Sequence, residues 1–472
     1  MWSDVSGARG WCPLFRAVDT FLPFVIPEES RVSHVPSTAL KRTLTTTSLV
    51  AVMYFSVSGG AYSLEGLVKA TGPGLALLML LVLPICYSLP ETLIVGELAS
   101  MLPEEGGYYR WVRRAFGEAW GFQNGWTTLL YSVVDMALYP ALFNLYLKWF
   151  FPGLSEGVTW MVSLALIWAA TGINLRGARQ VGQSSVWAGA FIVAGFVAFA
   201  VIALPHVNHA PWVPFRTTTH SLGAGLAVGL STALWNFIGW DNASTVQGEV
   251  IDPTRTYPRA LAIALPLVAL VYFIPVLPAL AATDWTTWTE GSWPRIAQSM
   301  GGRSGTVVAW WLAIGGMIGA ASLFNALLLS YSRLPVALAG DRLLPEFLAF
   351  TDRRGTPRNA ILVAAVLYSV FTLLPFSSLI VADVLLYSAA LLMELAALVQ
   401  LRRKEPELRG AFRIPLGTTG VAVLATLPAI VLVLVVVLSY AEGDVALPSL
   451  LGSVVAMCIG PLVYRACRPK SA

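Results

Sequence analysis

Apolar runs of bilayer-spanning length follow one another along this chain and leave little sequence for anything else. They lie at about 44–69, 75–98, 120–150, 158–174, 184–204, 222–247, 259–282, 305–338, 359–375, 378–401, 418–440 and 447–466. Roughly 20 apolar residues cross the hydrocarbon core as a helix, and only helices or closed barrels satisfy their backbone groups there. The expected fold is therefore an all-α polytopic membrane protein with twelve transmembrane helices. Composition agrees: 56% of the 472 residues are hydrophobic and 12% charged, about half the charged share of a soluble domain. A soluble globule is excluded.

The placement of the charges tests this count. Of 30 Lys and Arg residues, 25 fall on one side of the alternating spans, including Lys41, Arg42, Arg110, Arg333 and Arg402. The other side receives Lys69, Lys148, Arg216, Arg295 and Arg303. The positive-inside rule then puts both termini in the cytoplasm; the expected location is the plasma membrane. Residues 1–43 read as a cytoplasmic tail and 467–472 as a second one. A net charge of +4 is too scattered for nucleic acid. Cys12, Cys86, Cys458 and Cys467 show neither metal-ligand nor disulfide spacing. His34, His206, His209 and His220 fall in the tail or in the loop before span 6 and read as solvated residues. No catalytic constellation, cofactor motif or accessory-subunit signal is present.

Two spans are interrupted. Span 1 contains Ser56-Val57-Ser58-Gly59-Gly60-Ala61, and span 6 contains Asn236-Phe237-Ile238-Gly239-Trp240-Asp241. Matched breaks five spans apart point to two inverted five-helix repeats, 44–204 and 222–401, followed by a loop and helices 11 and 12 over 402–466. A broken helix exposes carbonyls and amides that lipid cannot satisfy, so the breaks predict a cavity for a small cationic or zwitterionic substrate. The competing reading of Gly59-Gly60 is close helix packing.

Glu65, Glu91, Asp135, Asp241, Asp383 and Glu394 lie inside apolar spans, each costing roughly 2.5–3.5 kcal/mol at a helix centre. Tyr131, Asp135, Tyr139 and Tyr146 fall on one helical stripe, as do Asp383, Tyr387 and Glu394. Glu91 beside Pro90 reads as structural. Glu97 and Glu249, near helix ends, are expected to pair with the Arg-rich loops. Asp241, inside the break, is the strongest functional candidate; whether Glu65, Asp135 or Asp241 carries a proton stays open.

These strings resemble the amino acid/polyamine/organocation transporter superfamily, and within it the polyamine-uptake branch of plants and trypanosomatids. They are Val57-Ser58-Gly59-Gly60 with Glu65, Glu104-Glu105-Gly106-Gly107-Tyr108, Asp135-Met136-Ala137-Leu138-Tyr139-Pro140, Trp240-Asp241, and Phe412-Arg413-Ile414-Pro415. Ser56 stands where that branch commonly carries an acid. The resemblance implies a sodium-symporter-like inverted-repeat fold and proton-coupled uptake of polyamines or amino acids by alternating access, with the proton gradient as driving force. It places the substrate at Ser56, Ser58, Gly59, Gly60, Ala61, Asn236, Gly239, Trp240 and Asp241, with Asp135, Tyr139 and Tyr387 completing the pocket. A polyamine requires carboxylates and aromatic faces, whereas an amino acid requires free amides, which Gly59, Gly60 and Ala61 can offer. Asp241 and Glu65 both facing the pocket would favour a polyamine; both buried in helix contacts would favour a neutral amino acid.

Overall fold

The computed structural model describes residues 41–218, 221–372, 376–442 and 447–467, and most of the expected N-terminal tail lies outside them. The described residues are helical, with a single parallel bridge between Leu44 and Val250 and no strand. Eight helical stretches are long and apolar enough to cross a membrane, and four shorter apolar helices accompany them.

The break of the first span is real chain geometry. Helix α1 (Thr46–Val57) starts at a capping box between Thr45 and Ser48 and stops when Ser58 turns extended. The chain turns at Gly60 and Ser63, both at positive φ, before α2 (Leu64–Thr71). Next come α3 (Pro73–Leu83), a π turn at Pro84–Ser88, and α4 (Leu89–Met101). Helix α5 (Gly107–Phe116) leads into the 33-residue α6 (Glu118–Phe150), then α7 (Glu156–Asn174) and α8 (Ala178–Ala203).

The second break begins where α9 (Leu222–Trp235) ends. The chain reverses through Gly239 and continues only as a 3-10 segment, Asn242–Glu249. Helix α10 (Pro253–Ala282) carries four internal prolines, tolerable where neighbouring helices re-satisfy the backbone. The short α11 (Trp293–Ser299) precedes α12 (Gly302–Tyr331) and α13 (Arg333–Gly340). Helices α14 (Arg358–Phe371), α15 (Phe376–Lys404), α16 (Thr418–Ala441) and α17 (Leu447–Cys467) complete the chain.

Helix α6 is the centre of the bundle, packed against α12 and α15, while α1 packs between α8 and α10. Burial separates core from rim: the apolar window of α12–α13 is 72% buried and that of α16 only 22%. Lys69 donates to the Thr286 carbonyl. Arg114 pairs with Glu405, and Lys404 donates to the Ala115 carbonyl.

Candidate functional site

The two breaks meet. Gly239 lies so close to the Ser56 carbonyl that an added Cβ would overlap it, and its φ of +101° disfavours any side chain. Ser63 Oγ donates to Asn236 Oδ1 at 3.3 Å, tying the far end of the first break to the second. Aromatic groups satisfy several freed carbonyls: Tyr272 hydroxyl donates to Asn236 O at 2.6 Å, and the Trp293 indole N–H to Ala61 O at 2.8 Å.

A cavity opens between the breaks and α6. Ser56, Gly59, Asp135, Tyr139 and Asn236 line it, with Tyr131 from the same stripe as Asp135 and Tyr139, joined by Tyr62 and Trp235, which sequence reasoning did not single out for the pocket. Its polar side chains are only 1–5% exposed, so the lining is buried. Asp135 is its carboxylate. Tyr139 hydroxyl donates to Oδ1 at 2.6 Å and Tyr331 hydroxyl to Oδ2 at 2.9 Å, which leaves the acid anchored from two helices and still facing the cavity.

The remaining candidates lie outside this lining. Gly60 N–H already donates to Ser58 Oγ at 3.1 Å, so that amide is not free for a carboxylate. Trp240 is fully buried behind the break. Asp241 sits beside Tyr387, whose hydroxyl is 2.8 Å from Asp241 Oδ1 and 2.9 Å from Glu91 Oε1 and accepts from Gly239 N–H at 2.9 Å. The single hydroxyl hydrogen serves one acid at a time. This cluster touches the cavity wall through Tyr131, whose ring centroid is 5.2 Å from that of Tyr387, and through Gly239 beside Ser56. Glu65 accepts from Trp293 N–H at 3.2 Å and Tyr146 hydroxyl at 3.4 Å. Neither Asp241 nor Glu65 faces the cavity, and Glu91 belongs with Asp241 rather than with a helix end.

One face is sealed thickly. Gly107 packs on Ser244 with no room for a Cβ, Tyr108 N–H donates to Ser244 Oγ at 3.3 Å, and Thr245 hydroxyl donates to Ser330 O at 2.8 Å. Beneath them Arg333 meets Glu249 at 2.8 Å with both side chains buried. Glu97 and Arg402 form a second buried pair at 2.5–2.7 Å. Asp341 accepts from Tyr109 at 2.6 Å and pairs with Arg110 and Arg113. Burial works against its ionisation, yet these donors hold its carboxyl below the usual range. Glu105, in the loop before α5, is pushed up to about 7 by burial and the Glu249 charge, against the pull of Arg333 and Arg110.

The opposite face is thin. A vestibule bounded by Ser63, Leu145, Thr232 and the exposed Glu290 shares Leu142 and Trp235 with the cavity wall. Trp235, stacked on Tyr139 with centroids 6.4 Å apart, is the partition.

Broken helices meeting at a carboxylate-bearing cavity, closed thickly on one side and thinly on the other, define a transporter rather than an enzyme. The chain belongs to the amino acid permease family, which it matches over residues 44–459. It is similar to the polyamine transporter RMV1 of Arabidopsis thaliana, 36% identical over 90% of this chain and 87% of that protein. It is 34% identical to the polyamine transporter PUT1 of Oryza sativa subsp. japonica over 88% and 77%. The branched-chain amino acid permease BcaP of Lactococcus lactis subsp. cremoris is 26% identical over 74% and 79%.

Proposed function

We propose that this protein takes up polyamines of the putrescine–spermidine class, coupled to protons, by alternating access. The observation that carries this reading is Asp135, a buried carboxylate facing an aromatic cavity between the two breaks. A primary ammonium is neutralised there, while Tyr62, Tyr131, Tyr139 and Trp235 present faces that suit both methylenes and cationic charge. The similarity to two polyamine transporters supports it. The engaged Gly60 amide removes one of the groups an amino-acid carboxylate would need.

In this reading twelve spans, arranged as inverted repeats 44–204 and 222–401 with 402–466 appended, sit in the plasma membrane with both termini cytoplasmic. The basic, thickly sealed face is the inner one. Substrate enters the Glu290 vestibule, passes Trp235 as it swings from Tyr139, and leaves when the Arg333–Glu249 and Asp341 contacts part. Asp241, Glu91 and Tyr387 stand between cavity and inner seal, where a change of protonation at either acid is felt by the Gly239 turn.

A neutral amino acid is the second reading, favoured by the withdrawal of Asp241 and Glu65 from the cavity and by the resemblance to the branched-chain permease. Counterflow of labelled putrescine in proteoliposomes separates the two. Competition by spermidine and not by a panel of amino acids supports the polyamine; absence of putrescine counterflow, with an amino acid exchanging instead, replaces it.

A further inference from the structure

Asp383 is fully buried on α15, and neither of its carboxylate oxygens has a hydrogen-bond partner. It lies one helical turn before Tyr387, as Asp135 lies one turn after Tyr131, and the Tyr131 and Tyr387 rings touch. The register brings the two acids to one level on the packed helices α6 and α15. Tyr131 and Tyr139 flank the pair from α6, Tyr331 from α12 and Tyr387 from α15; Glu91 and Asp241 lie beyond Tyr387. No lysine, arginine or histidine is in contact with either acid among the described residues.

Two carboxylates that share a buried site disfavour each other's ionisation. Hydrogen bonds to the charged form decide which one keeps its charge. Asp135 has two hydroxyl donors and Asp383 has none, so of the two Asp135 is the one equipped to hold a negative charge. We propose that Asp383 is the residue that carries the coupled proton, beside Asp135 as the acceptor of the substrate ammonium. The proton enters from the outer solution, crosses with the substrate and leaves on the inner side. This rests on the proton-coupled reading above and adds the division of labour between two acids.

Two measurements test it, one of them independent of any substrate. An infrared difference spectrum of wild type minus Asp383→Asn, in lipid at neutral pH, is expected to show the carbonyl band of a protonated carboxylic acid that shifts in deuterium oxide. Absence of that band overturns the proposal even if putrescine proves not to be the substrate. In proteoliposomes, Asp383→Asn is expected to retain putrescine counterflow and to lose accumulation driven by an acid-outside gradient. Gradient-driven accumulation by the variant, or loss of counterflow with accumulation, overturns it, the latter because it makes Asp383 a substrate ligand. Asp383→Glu guards against misfolding: it should restore accumulation and move the infrared band rather than erase it.

Discussion

Replacing Arg333 by methionine removes the cation from a pair whose side chains are 0% and 5% exposed and 2.8 Å apart. The Glu249 carboxylate is then left buried without its counter-charge, a loss of about 3–5 kcal/mol in comparable sites. Because Glu249 ends the second break and Arg333 begins α13, the penalty falls on the state in which these elements are packed together. With every 1.4 kcal/mol worth tenfold, the sealed arrangement should lose roughly a hundred- to several-thousand-fold in population against one opened on this face. Hydrogen exchange is the assay. Backbone amides of residues 106–116 and 242–250 should exchange faster by that factor in Arg333→Met, while amides of α16, remote from the seal, stay as they were. The double variant Glu249→Leu/Arg333→Met should recover much of the protection, since an apolar pair of similar volume often replaces a buried ion pair at no net cost. Unchanged exchange in Arg333→Met would refute the idea that this pair holds the basic face closed.

Asp135→Asn keeps the shape and the hydrogen-bonding reach of the side chain but removes its charge; putrescine affinity in an equilibrium binding assay should fall by about 2–5 kcal/mol, tens- to thousands-fold. Glu290→Gln should raise the half-saturating putrescine concentration several-fold at low ionic strength and leave the saturating rate alone, with the difference fading in salt as a vestibule charge is screened. Glu105 has a raised value in the sealed form, so sealing takes up a proton that the opened form releases; the seal is firm below about 4.5 and loosens as pH climbs to about 7. Exchange at residues 106–116, corrected for intrinsic rates, should follow that window in wild type and be flat in Glu105→Gln.

The breaks were legible because their causes are local: Gly60 and Gly239 supply the positive φ at which each chain turns, and small polar neighbours mark the place. The pairings of Glu97 and Glu249 were legible from the clustering of arginines on one face. Which acid faces the cavity was not. A helix buried on all sides carries no amphipathic stripe to fix its phase, and Asp241, inside the break, looked better placed than Asp135. The stripe Tyr131–Asp135–Tyr139 was the usable signal, and it does line the cavity. Trp235 and Tyr62 gave no such signal, since aromatics in apolar helices usually pack, and Glu290 sits in a loop whose fold over α2 depends on contacts far apart in sequence.

The most direct test is uptake of labelled putrescine into proteoliposomes carrying the wild-type protein under an acid-outside gradient, with and without a protonophore. Accumulation that the protonophore collapses, and that Asp135→Asn abolishes, is the expected result. Uptake indifferent to the gradient, or surviving in Asp135→Asn, would contradict a proton-coupled polyamine site built on that carboxylate.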